Sequence, residues 1–454
     1  MIDSLISVLA LIVTLGVLVT VHEFGHFWVA RRLGVKVLKF SIGFGRPLWQ
    51  RRGRDGTDYV IAALPLGGYV KMLDGREGEV PSDQAHQAFD RQPIVSRIAI
   101  VLAGPLGNFL FAILAYSLMF MIGVPGATPL LDDPTPNSLA AAGGFRKGDR
   151  VEAVEGKPTP TLSAVMLELV DRAMSGEVIQ IKVIDAEDRA RTRLLDLRDS
   201  TNLSDAAQMF SQVGLMPLRP VLPAVIGQLA RGGAAEQAGL QPGDRIVRAD
   251  GQIVTDWQHW RDIIERHPEL PFSIRIERDG LEQTVDLVPD ARENERGARV
   301  GFIGAIADVP DDIARSLRVV VQYGPLDAVG AAMGKTWDMS LLTLRMLGRM
   351  LVGRASLDNL SGPLTIAQYA GQAASAGFIA FLSLLALVSI SLGVLNLLPV
   401  PVLDGGHLLY YLIELLKGSP LSEAVQNVGQ RVGMIVLLLL MGLALFNDFN
   451  RLLG

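Results

Sequence analysis

Four apolar runs govern what this chain can become: Leu5–Val29, Ile98–Val124, Gly377–Leu398 and the shorter Val432–Phe446. A helix crosses a hydrocarbon core with about 20 residues, and no backbone polar group can stay unpaired there. The runs therefore predict a polytopic α-helical membrane protein of about four transmembrane helices. With 20% charged residues in 454, the composition fits that class better than a soluble one. The first run is read as a retained helix. Asp3 stands where a signal peptide carries positive charge, and the run closes on His22, Glu23 and Trp28 instead of a small-residue cleavage site. The chain has no cysteine, which excludes disulfides, Cys-ligated zinc, iron–sulfur clusters and thiol catalysis, so a metal here must be held by histidine and carboxylate. A net charge of −5 with scattered basic residues leaves no footprint for nucleic acid.

Basic residues beside the spans set the expected orientation. Arg31, Arg32, Lys36 and Lys39 follow the first run, and Arg91 and Arg97 precede the second, so residues 31–97 are expected in the cytoplasm. Both chain ends and the segment 125–376 then lie outside, and the Pro401–Arg431 connection inside. The long outer segment repeats itself. Gly143-Gly144-Phe145-Arg146-Lys147-Gly148-Asp149-Arg150-Val151 with Glu155-Gly156 aligns, 95 residues on, with Ala238-Gly239-Leu240-Gln241-Pro242-Gly243-Asp244-Arg245-Ile246 with Asp250-Gly251. Each copy reads as a Gly-Asp turn, a strand, a hairpin turn and a helix, Thr161–Ala173 or Trp257–Arg266. The copies resemble PDZ domains, whose sheet edge accepts an extended peptide; folded spacers without a ligand are the plainer reading. Beyond them, Trp337, Leu341, Leu344, Leu347 and Leu351 recur at helical spacing over residues 326–353. That suits an amphipathic helix on the membrane surface, or one packed against a PDZ-like domain.

His22-Glu23-Phe24-Gly25-His26 is an HExxH string. On a helix, residues four apart stand one above the other, so both imidazoles can reach one zinc ion with Glu23 placed to act as general base. Its setting sharpens the reading. A charged side chain at the bilayer centre costs about 2.5–3.5 kcal/mol on the insertion scale, so ionisable residues in a span are functional by default. Two of the six histidines are here. Catalytic zinc takes a third protein ligand and keeps an open position. Glu77, Glu79 and His86 lie in a Gly-rich polar stretch, whereas Asp404 directly follows the third run on the side expected for His22 and His26. The plainer reading of Asp404 is a turn residue before Gly405-Gly406.

HExxH in the first run, tandem PDZ-like repeats between the second and third, and Asn396-Leu397-Leu398-Pro399-Val400-Pro401-Val402-Leu403-Asp404-Gly405-Gly406 resemble, over essentially the whole chain, the site-2 protease family of intramembrane zinc metalloproteases. The resemblance implies one Zn2+ per chain on His22, His26 and Asp404, Glu23 as base, and Asn396 on the substrate backbone. It also implies single-pass membrane protein substrates, among them an anti-sigma factor after a first cleavage and remnant signal peptides. The expected location is the bacterial inner membrane, with periplasmic PDZ-like domains filtering substrates by ectodomain size and the active site near the cytoplasmic face. Tyr59–Lys71 reads as a β-hairpin broken at Pro65 and Gly67-Gly68. In the family it corresponds to a membrane-associated β-element, which would place Gly67, Gly68 and Tyr69 beside substrate; a small soluble sheet is the alternative. Gly104, Pro105 and Asn108 match a family Gly-Pro-x-x-Asn motif, with helix packing as an equal explanation for Gly104 and Gly107.

The expected organisation is 1–124, a membrane region of two spans; 125–220 and 221–309, two inserted α+β PDZ-like domains; 310–376, a linker with the amphipathic helix; and 377–454, a second membrane region of two spans. Rival functions are a non-enzymatic PDZ adaptor or membrane chaperone, and a zinc carrier.

Overall fold

A computed structural model describes residues 2–76, 78–173, 176–198, 206–294, 297–352 and 362–453. The chain divides into two compact units, Met1–Val124 with Val321–Gly454, and Pro125–Val320.

The first unit contains helices α1 (Ile2–Arg32), α2 (Ile94–Ile122), α3 (Pro325–Leu351), α4 (Pro363–Ala376), α5 (Phe378–Leu397), α6 (Asp404–Lys417) and α7 (Glu423–Leu453). Among the described residues, four of these are long and apolar enough to cross a membrane, over Leu5–Arg32, Ile94–Ile122, Phe378–Leu397 and Ala424–Arg451. The fourth is much longer than the sequence suggested, because its polar ends continue the helix beyond the apolar stretch. Helices α1 and α2 approach through small residues. A Cβ on Gly25 would lie 2.1 Å from the Ala103 carbonyl oxygen, and one on Gly107 would lie 3.1 Å from that of Val21. Such backbone proximity is how helices associate where lipid removes the hydrophobic drive.

Strands β1 (Val37–Arg52) and β2 (Asp58–Met72) form the β-element. The expected hairpin within 59–71 is not what forms. Residues Pro47–Arg52 pair with Asp58–Ala62, and Val37–Ile42 pair with Gly68–Met72, while Lys39–Ile42 are also paired with Asp58–Ile61. The two long strands thus bend past the Pro65–Gly67 region, and Lys39–Ile42 sits between two neighbours. Gly68–Met72 pairs with the first half of β1.

Helix α3 packs on α2 and α5, burying Ala328, Ala332, Thr336 and Met339 and leaving Trp337 exposed. The buried face is the small-residue one, not the Trp/Leu face the periodicity emphasised. In this unit helices α4 and α6 went unread in the sequence. Helix α4 is alanine-rich and uncharged, and its signal was the Gly362-Pro363 start, with proline in the first turn. Its beginning is capped from α7. The buried Asp448 carboxylate accepts from the backbone N–H groups of Gly362 (2.9 Å), Leu364 (2.8 Å) and Thr365 (3.3 Å), and from the Thr365 hydroxyl (2.5 Å).

In the second unit the repeat becomes two copies of one topology. The sheets run 157–158, 150–154, 178–184, 190–196 and 252–253, 245–249, 272–278, 281–287, each order being that of spatial neighbours. Each copy has its own core, one around Val154, Leu169 and Ile181, the other around Trp260, Ile274 and Ile276. Gly148 and Gly243 take φ of 89° and 94°, which explains glycine before each aspartate. Asp149 and Asp244 are 1% exposed; each accepts a backbone N–H three residues back and a bidentate arginine. The arginines, Arg193 and Arg278, come from non-equivalent strands. Positive φ at Glu155-Gly156 and Asp250-Gly251 matches the hairpin turns predicted there.

Asp448→Ala should destabilise the first unit by about 2–3 kcal/mol, because it strands three N–H groups and a hydroxyl in a buried place. Thermal unfolding of the detergent-purified protein should show the midpoint falling by several degrees, and an unchanged midpoint would refute the capping role.

Candidate metal centre

His22 and His26 lie one turn apart on α1, facing α2 and the start of α6. Their Nε2 atoms are 3.3 Å apart, and Asp404 Oδ2 stands 3.2 Å from His22 Nε2 and 3.5 Å from His26 Nε2. All three side chains are mostly buried, at 12%, 11% and 19% exposure. Among the described residues they form the group of potential ligands whose donor atoms lie within 4.8 Å of one another. Glu77 lies outside the described residues; Glu79 and His86 are not in this group.

Asp404 reaches this point because of how its loop folds. It opens α6 instead of occupying an isolated turn, and its charge sits favourably at the helix N-terminus. The chain from Leu398 to Leu403 doubles back over that first turn so closely that a Cβ on Gly405 would be 2.1 Å from the Leu398 carbonyl oxygen, and one on Gly406 would be 2.6 Å from Pro401 Cα. Val402 carries the strain of the bend, with φ of 122°. The two glycines after Asp404 are thus required by backbone approach.

The residues fit zinc. Ligand atoms about 2.0–2.2 Å from a tetrahedral ion are roughly 3.3–3.6 Å from one another, close to the three separations seen. Asp404 Oδ2 is buried and has no hydrogen-bond partner among the described residues. Three lone-pair atoms converging on one point repel each other without a cation. The tautomer of His26 is suitable as well: its Nδ1 donates to the Ile100 carbonyl at 2.8 Å, which leaves the Nε2 lone pair facing Asp404. Gly104 makes room for both rings, since a Cβ there would sit 2.2 Å from His26 Nε2 and 2.9 Å from His22 Cε1. Pro105, inside α2, removes the N–H that would bond Val101. Asn108 is fully buried, with Nδ2 3.1 Å from His22 Nδ1.

A cavity of about 430 Å³ opens on this group, lined by His22, Glu23, His26, Asp404, Asn396 and the strand Gly68–Met72. Gly68 is pressed against α1: a Cβ would be 2.8 Å from Val19 Cγ1 and 3.0 Å from Glu23 Cγ. Tyr69 lines the cavity and stacks on Phe44, with ring centroids 6.1 Å apart; Gly67, at φ 137°, lies under Phe44 and outside the lining. Gly148, Asp149, Gly243 and Asp244 belong to the turns of the second unit. Sequence reasoning missed Asp74, Arg76, His407 and Tyr411, which line the same cavity. Arg76 is held above its usual pKa range by its hydrogen bonds to Asp74. Arg97 binds Glu414 in a bidentate pair (2.6 and 3.3 Å) and lies over the Tyr411 ring, tying α2 to α6 beside this wall. Helical spacing from Asp404, three residues to His407 and seven to Tyr411, was the signal for those two.

The model of peptidase family M50 matches residues 10–440. Curated relatives match end to end. The regulator of sigma-E protease RseP of Escherichia coli (strain K12) is 46% identical over 456 residues, covering 100% of both chains. The regulator of sigma E protease of Salmonella typhi is 46% identical over 452 residues with the same coverage. A Vibrio cholerae protein named as a zinc metalloprotease is 44% identical over 454 residues, again covering 100% of both. With a histidine–histidine–aspartate group suited to zinc and a family match across nearly its whole length, this chain belongs to peptidase family M50 and is a zinc metalloprotease of that family.

Proposed function

We propose that the chain hydrolyses peptide bonds within the transmembrane segments of single-pass membrane proteins, with His22, His26 and Asp404 holding one zinc ion and Glu23 as general base. One observation carries this reading: Glu23, the three ligands and the strand Gly68–Met72 share a cavity, in a unit with four helices of membrane-spanning length among the described residues. Zinc, when bound, supplies a Lewis acid that lowers the pKa of water at its open position to about 7. Glu23, next to His22 and inside the cavity, takes the proton of the attacking water and returns it to the leaving amine. The Ile100 carbonyl keeps His26 in orientation throughout.

A transmembrane substrate hides its peptide bonds in its own helical hydrogen bonds, so it must be drawn out before it can be cut. The strand Gly68–Met72 lies in the cavity lining where such an extended segment can align with its backbone, and Asn396, in the same lining, holds the substrate backbone. Basic residues flanking α1 and α2 favour a cytoplasmic location for this end of the spans, hence a PDZ-like pair outside that screens substrates by ectodomain size. The site-2 protease resemblance extends the proposal to the bacterial inner membrane and to an anti-sigma factor already shortened by a first protease, with remnant signal peptides as further substrates; relatives named as regulators of sigma-E protease are in keeping with it.

Cleavage of a single-pass reporter helix in liposomes tests the reading. Glu23→Gln should keep its zinc and lose turnover by about 10²–10⁴-fold; retained turnover would remove Glu23 as the base. Asp404→Ala should lose zinc on dialysis, read by metal analysis, and unchanged stoichiometry would mean another third ligand. Gly68→Val should leave zinc content at the wild-type level while cutting turnover, because the new side chain pushes on Glu23 and on the Ser41 carbonyl of the paired strand. Turnover equal to wild type would exclude that strand from the site.

A further inference from the structure

The two zinc-facing imidazoles are braced by α2 in opposite directions. Their Nε2 atoms converge at 3.3 Å, so their Nδ1 atoms diverge along the antiparallel helix, His26 to the Ile100 carbonyl and His22 to the Asn108 side chain, with Gly104 midway beneath both. Ile100, Gly104 and Asn108 are spaced four apart and therefore form one stripe on α2. The Ile100 carbonyl can only accept, which fixes His26. An asparagine amide can accept or donate, and its two ends have the same outline. Among the described residues Asn108 Oδ1, which is buried, finds no donor, while Nδ2 is the end 3.1 Å from His22 Nδ1. For His22 to offer Nε2 to a metal, Nδ1 must carry the proton, and then it needs an acceptor. A half-turn of the amide brings Oδ1 to that position. The Asn108 backbone is itself anchored, its carbonyl accepting from the buried Ser389 hydroxyl of α5 at 2.9 Å.

We propose that Asn108 is a positioning residue of the metal centre, whose Oδ1 accepts from His22 Nδ1–H and so sets His22 in its ligating tautomer. This rests on the zinc reading above. It also gives Asn108 a role apart from helix packing: it does for His22 from a side chain what the Ile100 carbonyl does for His26 from the backbone. Partners that orient metal-bound histidines in this way typically account for about 10–100-fold in affinity.

The test is zinc affinity by chelator competition on the purified full chain, with thermal stability of the zinc-free form alongside. Asn108→Leu, similar in size and without polar atoms, should weaken zinc binding about 10–100-fold while the zinc-free midpoint stays near wild type. Asn108→Asp keeps an acceptor facing His22 and should restore affinity to within about threefold of wild type. Zinc affinity of Asn108→Leu equal to wild type would overturn the proposal, as would equal losses in both variants accompanied by equal destabilisation, the mark of a packing role. Should Asn108→Leu fail to fold, ¹⁵N-histidine NMR of the zinc-loaded wild type decides, with His22 assigned by its loss in His22→Asn: an Nδ1–H tautomer is expected, and Nε2–H would refute it. A wild type that binds no zinc overturns the underlying reading, a result separable from zinc bound normally by wild type and Asn108→Leu alike.

Discussion

Mutual repulsion among three converging lone pairs is the constraint on which the membrane unit is organised. Two imidazole nitrogens and a carboxylate oxygen stand 3.2–3.5 Å apart with little water around them. A cation at the centre makes that arrangement favourable in an apolar setting. The surrounding structure holds the three in place from separate elements: the one-turn spacing on α1, the glycine stripe and proline of α2, and the strained Val402 bend that delivers Asp404 at the head of α6. Each would be a liability in an ordinary helical bundle, and together they make a site shaped before metal arrives.

The same close packing explains the glycines. Gly25 and Gly107 let α1 and α2 touch backbone to backbone, which fixes the register between the histidines and the groups that brace them. A side chain at either position would slide the helices apart and lengthen the His26–Ile100 contact of 2.8 Å. Packing and chemistry are therefore not competing explanations for the Gly104-to-Asn108 segment; the first is the means of the second.

How much of this was legible in the sequence depends on whether the information is local. HExxH and the Asp404-Gly405-Gly406 string are local, and both could be read because charge in an apolar run demands a reason. The repeat was equally plain, since a Gly-Asp turn and an Asp/Glu-Gly hairpin carry their backbone angles in their residue types. What depended on partners distant in the chain was not legible. Residues 58–72 pair with 37–52, a strand with many arginines, so the apolar stretch alone suggested a hairpin with itself. Helix α4 shows little apolar periodicity and owes its start to Asp448, more than 80 residues later. Asn108 gains its meaning only from the α1–α2 register, which no spacing within α2 records.

The β-element resolves a difficulty that the helices alone leave open. Under the function proposed above, the substrate is a transmembrane helix whose backbone is already satisfied, so binding it as a helix would present no peptide bond to Glu23. Opening that helix in lipid leaves N–H and C=O groups unpaired, at several kcal/mol each. A strand lining the same cavity can exchange one set of backbone hydrogen bonds for another, lowering the cost of unwinding without needing any particular side chain. Gly68 then has a definite reason: with no Cβ, the strand can lie against Val19 and Glu23 at van der Waals range. An extended segment paired to that strand would run past Glu23 and the three ligands, where its peptide bonds are open to attack. Selection by such a strand is weak in sequence and strong in backbone availability, so substrates should be distinguished by how readily their helices unwind.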